Sequence, residues 1–538
     1  MKLENFIILF IVIPMGSGVI GVFLKERVRI ARVLGVMSFL ATASLAIGLL
    51  IHLRSHPTGI LVSQMGAWPA PYGISVVFDS LSGLLLAASS LVALACYVHS
   101  FSTVEPIAEK RYFHPMVQLL MFGVNLAFLT GDLFNLFVSF EIMLMASYCL
   151  LTFGGTRLQM TQAYKYVLLN LVGSTLFVIG AGLVYGMTGT LNFADLALFV
   201  SKRQAEGRSL PPGFAALSIS LLLVFGLKGA IFPLWFWLPD TYYTCNVSIA
   251  GLFAGMLTKV GIYAIARTFP MIFAHGNSDA NRIVMPLLAV SAAFTMFLGV
   301  LGAVSHHNIR RILAVHVISQ VGYMVFGLAL MTGVALAGCL FYMIQHMVVK
   351  SCLFLCCGIM ERHTGTDDLE KSGGLLKRDW YLGVVFFIAA MSLVGLPPLS
   401  GFFGKLVIIR EGWESKWWLS IFGLLTGALT LLSMLKIWGY AFWSPSAKAI
   451  ERTPQNMSNT SSLRPAYVGA TLLVLVALFL GFGAQPVYDI AFRAGNQLVN
   501  PDEYISAVLG PHALDELTQY RQQEATRLAA AAAVEVMP

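Results

Sequence analysis

The residues that could do chemistry in this chain stand where side chains of their kind are rare. Glu141, Lys228, Lys259, Lys350 and Lys405 each fall inside a run of apolar residues. An ionised side chain at the centre of a hydrocarbon layer costs roughly 2.5–3.5 kcal/mol on insertion scales, so five cost more than ~12 kcal/mol together. That is as large as a typical whole folding free energy of ~5–15 kcal/mol. Groups so costly must be paired, hydrated or both, and amines and a carboxyl group at that depth suit proton transfer. Histidines extend the set. His346 lies four residues before Lys350, on the same helical face, and His316 follows the loop His306-His307-Asn308-Ile309-Arg310-Arg311. Imidazole titrates near neutrality and suits a relay, although a lone histidine is more often a hydrogen-bonded helix contact. Snorkelling to the interface suits Lys436, toward one end of its run, but is a weak account of Glu141 and Lys228, which sit deep in theirs.

The elements that must hold these groups follow from composition. The chain has 538 residues, 57% hydrophobic and only 11% charged, where a soluble protein carries about 25% charged residues. Apolar runs near 5–24, 30–51, 76–98, 114–130, 132–153, 162–187, 213–237, 245–266, 284–304, 310–331, 334–359, 381–409, 417–442 and 464–484 read as about 14 transmembrane helices. Barrel strands would alternate polar with apolar residues instead, so the fold class is an all-α polytopic membrane protein. The first run is read as a span, since it is too long for a signal-peptide core. Prolines interrupt two spans. Pro233 leaves the carbonyl of Gly229 without its helical donor, next to Lys228. Pro397 and Pro398 free the carbonyls of Leu393 and Val394, shortly before Lys405. Broken helices 7 and 12 therefore each carry a buried lysine, and irregular backbone at that depth survives only where protein or water surrounds it; a simple packing kink is the plainer alternative.

Other chemistries find no support. Leu399 and Leu406 spoil a phosphate loop around Gly404-Lys405, and neither a dinucleotide fingerprint nor an HExxH motif occurs. Cys96, Cys149, Cys245, Cys339, Cys352, Cys356 and Cys357 lie in or beside apolar segments and read as small buried hydrophobes. Asp132 and Glu141 stand nine residues apart, so no compact carboxylate cluster for a metal is evident, and no cofactor is expected. The net charge of +8 comes from loop lysines and arginines and calls for no nucleic acid. Seventeen of these residues fall in the loops facing inside if the N-terminus is outside, against ten on the other face, so both termini are expected outside.

An internal repeat is suggested by spacing. Lys228 and Lys405 are 177 residues apart, as are Lys259 and Lys436, and Lys259-Val-Gly-Ile-Tyr263-Ala264 partly matches Lys436-Ile-Trp-Gly-Tyr440-Ala441. A five-span offset is odd, which implies two inverted five-helix repeats with a site near the midplane. The expected organisation is helices 1–3 over 1–112, a first repeat over 113–268, a second over 284–443, a last helix at 464–484 and a tail over 485–538. A surface helix is expected in that tail at 513–533. Lys228 and Lys405 are expected at matching positions, while Ile318 stands where a second Glu141 would fall.

Several segments then resemble a known family. Asp132-Leu-Phe-Asn-Leu-Phe-Val-Ser-Phe-Glu141-Ile-Met-Leu-Met-Ala-Ser-Tyr, Leu227-Lys228-Gly with Pro233, and Leu257-Thr-Lys259-Val-Gly-Ile-Tyr resemble the proton-translocating antiporter-type subunits. So do Arg310-Arg311-Ile-Leu-Ala-Val-His316-Val-Ile-Ser-Gln-Val-Gly-Tyr and Pro397-Pro-Leu-Ser-Gly-Phe-Phe-Gly-Lys405. That family spans membrane subunits of respiratory complex I, of membrane-bound hydrogenases and of Mrp (Mnh, Pha) cation/proton antiporters. The Glu141 segment is most similar to the D-type subunits of the last group.

The resemblance implies two half-channels. Glu141 and Lys228 would form a switchable ion pair, Lys259 would pass the proton inward, and His346 and Lys350 would carry it to Lys405. Expected partners are the A, B, C, E, F and G type subunits, with protons and monovalent cations as cargo and a bacterial plasma membrane as the setting. A secondary transporter subunit, not an enzyme, is implied. The alternatives are a proton-pumping subunit of a redox complex and a structural scaffold held by ion pairs.

Overall fold

The computed structural model describes residues 3–56, 58–275, 279–445, 462–515 and 517–522. The helices of seven residues or more are α1 (Leu9–Phe23), α2 (Val28–Leu53), α3 (Ser80–Thr103), α4 (His114–Leu129), α5 (Leu133–Leu151), α6 (Arg157–Thr188) and α7 (Phe193–Ala205). They continue as α8 (Phe214–Gly229), α9 (Leu238–Thr244), α10 (Val247–Thr268), α11 (Asp279–Ser305), α12 (Ile309–Leu330) and α13 (Gly333–Thr364). The last are α14 (Trp380–Val394), α15 (Ser400–Ser415), α16 (Trp417–Trp438), α17 (Arg464–Phe482), α18 (Ala484–Val499) and α19 (Asp502–Leu509). Among the described residues, twelve helices are long and apolar enough to cross a membrane, and the chain is a multi-pass membrane protein. The expected runs at 213–237 and 381–409 hold shorter apolar helices, α8 and α14, each followed by a break.

Local sequence explains where these helices begin. α3, α5, α6, α7, α10, α12, α13 and α14 each start on an Asp, Asn or Thr whose side chain accepts a first-turn backbone N–H. Each cap satisfies a donor that has no partner within the helix. This matters most at a membrane boundary, where an unmet amide is costly.

Burial sorts the helices. The apolar windows of α10, α12 and α13 are 100% buried within the chain, whereas those of α1, α6, α16 and α17 turn most of their surface outward. α13 is the hub: it packs against α3, α10, α12, α14, α15, α17 and α18. Lys259, His316, His346 and Lys350 all ride on these three enclosed helices.

One local structure occurs twice. α6 and α13 are each 32 residues long, and each ends at a glycine in the left-handed region, Gly189 and Gly365, with φ 77° in both. In the turn that follows, Thr188 Oγ1 donates to the carbonyls of Val184 and Thr190, and Asn192 caps the next helix. Thr364 Oγ1 donates likewise to Met360 and Thr366, and Asp368 caps its own next turn. Asp132 pairs with Asn192 across one isolated bridge, and Asn308 pairs with Asp368 across the other. Each residue of the first set stands 176 positions before its counterpart, one fewer than the lysine spacing.

Three features depart from the sequence reading. A two-stranded antiparallel hairpin, β1 (Leu61–Gln64) and β2 (Ser75–Phe78), sits beside the helices with Leu61 opposite Phe78. Arg267, just past the expected run at 245–266 and so one of the loop arginines of that reading, is 2% exposed and forms a bidentate pair with Asp79 at 2.5 and 2.9 Å. The segment after 484 begins as a packed amphipathic helix: α18 lies on α13 and α3, burying Ala491, Ala494 and Leu498. Residues 513–515 and 517–522 of the expected tail helix are helical, and 516 and 523–533 lie outside the described residues.

Candidate functional site

The two breaks place the two lysines differently. α8 stops one residue after Lys228, and Ala230 turns into the left-handed region with φ 56°. Lys228 is therefore the last side chain before its break. Its ammonium donates to Asn170 Oδ1 at 3.0 Å and, at 3.4 Å, to the Asn170 carbonyl and Ser174 Oγ, all on α6. Lys405 lies after its break, on α15. There its ammonium donates to the carbonyls of Leu393 and Val394, both at 2.9 Å. These are the two carbonyls that Pro397 and Pro398 leave without helical donors. Tyr323 and Tyr342 cover the same ammonium, with ring centroids 4.6 and 5.7 Å away. Lys228 and Lys405 are thus not equivalent in local structure, because the 177 spacing crosses a change of register between the two breaks.

Close backbone contact fixes the first lysine. A Cβ on Gly261 would stand 2.4 Å from the amide nitrogen of Gly229 and 2.8 Å from the carbonyl carbon of Lys228. Only glycine permits that approach of α10 to α8. One half-turn earlier on α10 is Lys259, 0% exposed, whose ammonium donates to the Ala254 carbonyl and to Thr258 Oγ1 at 3.2 Å.

Glu141 lies within electrostatic reach of Lys228, yet no nitrogen–oxygen distance between them falls within 4 Å among the described ion pairs. Its Oε1 is buried and meets no hydrogen-bond partner in the chain. Across the centre, Lys350 interacts with Lys259, and His346 interacts with Lys259, Lys350, Lys405 and His316. His316 in turn interacts with Lys350 and Lys405. The Lys350 ammonium, both ring nitrogens of His346 and Nε2 of His316 have no protein hydrogen-bond partner. Buried polar atoms are normally satisfied by protein or water, so these groups are suited to a hydrated path. Lys436 is different. It donates to the carbonyls of Val304 and His306, at 2.9 and 2.6 Å, and so closes the C-terminal end of α11.

Sequence reading missed the cradle. Asn170 and Ser174 look like ordinary polar residues, but they repeat the four-residue spacing of His346 and Lys350 one local repeat of 176 earlier. Where α13 presents an imidazole and an amine, α6 presents an amide and a hydroxyl. Tyr323, Tyr342 and Gln320 also went unmarked; Tyr342 donates to Gln320 Oε1. No group of three or more His, Cys, Asp or Glu suited to a metal occurs among the described residues.

Enclosed helices carrying ionisable groups, flanked by helices broken beside lysines, define a membrane protein of the ion-translocating class. Residues 130–430 match the family described as NADH:quinone oxidoreductase/Mrp antiporter, TM, and the chain belongs to it. It is 41% identical over 508 residues to the D subunit of the Na(+)/H(+) antiporter of Alkalihalophilus pseudofirmus, covering 94% of this chain and all of that protein. Among solved structures it resembles a chain of the Mrp complex from Dietzia sp. DQ12-45-1b, at 31% identity and TM-score 0.85, over 95% of this chain and 100% of that one. It also resembles a chain of the membrane-bound sulfane sulfur reductase, an archaeal respiratory membrane complex, at 25% identity and TM-score 0.81, over 94% and 100%.

Proposed function

We propose that this chain is the D-type, proton-translocating subunit of a multisubunit Na+(K+)/H+ antiporter, a secondary transporter subunit rather than an enzyme. The observation that carries the reading is the row of ionisable groups from half-buried Glu141 and buried Lys228, through the enclosed Lys259, Lys350 and His346, to Lys405. The similarity to an antiporter protein of the D type along nearly the whole chain supports it. Glu141 and Lys228 act as the switch, approaching when Lys228 leaves Asn170 and parting when charge arrives nearby. Lys259, Lys350 and His346 pass the proton on to Lys405, with His316 beside them. The breaks at Pro233 and at Pro397–Pro398 supply the loose backbone, and Lys436 holds the scaffold.

The units over 113–268 and 284–443 are inverted halves in this reading, and the shared turns at Asn192 and Asp368 support it. The protein sits in a bacterial plasma membrane with both termini outside, beside the A, B, C, E, F and G type subunits. Protons and a monovalent cation are the cargo. The test is ΔpH-driven exchange in everted vesicles carrying the whole complex with Glu141→Ala or Lys228→Ala. Assembled variants should lose exchange; full exchange in both would refute the assignment.

A second reading, a proton-pumping subunit of a redox complex, draws on the likeness to the sulfane sulfur reductase chain. Genes for redox subunits beside this one would favour it.

A further inference from the structure

His99 is a histidine that the buried row does not use. It lies on α3, is 0% exposed, and has both ring nitrogens engaged. Nε2 is 3.1 Å from the carbonyl of Leu355 on α13, and Nδ1 is 2.7 Å from Ser248 Oγ at the start of α10. A carbonyl oxygen only accepts, so Nε2 carries the proton and Nδ1 of the neutral ring is the acceptor. Ser248 therefore donates to Nδ1. Thr103 Oγ1, 2.6 Å from Ser248 Oγ, then donates to Ser248. The alternative acceptor for Thr103, the His99 carbonyl, is 3.5 Å away and far weaker. The three groups form one directed chain ending on an imidazole.

Each end of this chain leads somewhere. Thr103 lines a polar cavity of about 420 Å³ together with Asn246, Arg310, Glu361 and Asp367. Glu361 is held there by both arms of the Arg310 guanidinium. This is the end of the molecule where Arg310, Arg311 and Arg362 gather. At the other end, Ser351 lies one helical turn along α13 from Leu355. Its hydroxyl donates to the Gly251 carbonyl at 2.7 Å, and a Cβ on Gly255 would strike it at 2.6 Å. Gly255 is one turn from Lys259, and Ser351 adjoins Lys350. Ser248, Gly251, Gly255 and Lys259 thus follow one face of α10, at steps of three and four residues.

We propose that His99 is the relay through which protons from the Arg310–Glu361 cavity reach Lys259 and Lys350, with Thr103 and Ser248 as its donors. The proposal rests on the proton-conducting reading above. A proton taken up at Thr103 Oγ1 displaces that hydroxyl's own proton to Ser248, and the Ser248 proton passes to Nδ1. The ring is then an imidazolium. The Leu355 carbonyl does not take the proton on Nε2, so the ring swings toward Ser351. It releases the Nδ1 proton along the seam to the lysines and returns neutral, with Nε2–H again on the Leu355 carbonyl and Nδ1 again the acceptor of Ser248. One proton enters, one leaves, and no bond between heavy atoms changes.

The test uses the complete complex. His99→Gln keeps both hydrogen bonds, since the amide oxygen accepts from Ser248 and the amide nitrogen donates to Leu355, but glutamine does not relay a proton. Ser248→Ala breaks the chain while leaving His99. Both should assemble, keep the sodium concentration for half-maximal exchange, and lose about a hundredfold in maximal rate, the low end of what a positioned acid–base group contributes. A purely structural role for His99 predicts full rate for an assembled His99→Gln, and that result would overturn the proposal. If His99→Gln fails to assemble, Ser248→Ala alone decides, by the same two outcomes. Lys228→Ala runs beside them. If it abolishes exchange while His99→Gln and Ser248→Ala do not, only this relay falls. If all three exchange fully, the proton-conducting assignment falls with it.

Discussion

Lys405 allows stability and transport to be separated in one position. Its ammonium supplies two hydrogen bonds, at 2.9 Å each, to carbonyls that Pro397 and Pro398 leave open, and it lies 4.6 Å from the ring centre of Tyr323. In Lys405→Met both carbonyls lose their donor, at ~1–3 kcal/mol each, and a cation–π contact worth ~0.5–2 kcal/mol goes with them. Against this, the buried ammonium no longer has to be stripped of water, which recovers several kcal/mol. The opposing terms leave a net loss of about 1–3 kcal/mol, small enough for the complex to assemble. Lys405→Arg keeps a cation and donors for both carbonyls, but a guanidinium does not release its proton at any working pH. Thermal unfolding of the purified complex should therefore rank native and Lys405→Arg together, with Lys405→Met slightly lower. Sodium-driven proton movement in everted vesicles should be lost in both variants. Exchange at the native rate in Lys405→Arg would refute the idea that Lys405 gives up a proton, leaving it a structural clasp for the broken helix.

The remaining expectations concern neighbours of the row. Asp79 and Arg267 are 2% exposed each, so Asp79→Asn or Arg267→Met alone should cost ~3–5 kcal/mol by stranding its partner; the double variant should recover part of the loss in a thermal unfolding series. Gly261→Ala puts a methyl group 2.4 Å from the Gly229 amide, and overpacking of this kind costs ~1–3 kcal/mol or more, which reduced complex yield from membranes would report. Lys436→Met should keep exchange while lowering the unfolding temperature modestly, because its two bonds close the end of α11 and such contacts contribute ~0.5–1.5 kcal/mol each; loss of exchange in an assembled variant would instead put Lys436 in the path.

The lipid-facing architecture was legible because hydrocarbon tolerates so few alternatives: long apolar runs became helices, and prolines marked where α8 and α14 stop. The buried charges were legible for the same reason, since Lys350 in an apolar run has no ordinary explanation. Partnerships were not legible. Nothing in the chain ties Asp79 to Arg267, 188 residues away, and Arg267 near the end of its helix reads as a loop residue until the fold closes over it. Asn170 and Ser174 were invisible because amides and hydroxyls are cheap enough in a helix to pass unnoticed. The 177-residue match of lysines was conspicuous, but the structural register is carried by the turns at Thr188 and Thr364, where Thr-Gly-Thr recurs 176 residues apart and each first threonine hydroxyl donates to two backbone carbonyls.

The three enclosed helices have a mechanical consequence. α10, α12 and α13 touch no lipid over their apolar windows, and protein interiors pack as densely as organic crystals. Rocking one part of the molecule against another would shear α13 across seven neighbours at once. Whatever cycle this chain performs must therefore be written in side-chain rotations and in the two unwound stretches, over distances of a few bonds. Such a device behaves as a solid-state conductor does: its turnover should follow the field and the proton supply at its ends, and respond little to the viscosity or thickness of the surrounding bilayer.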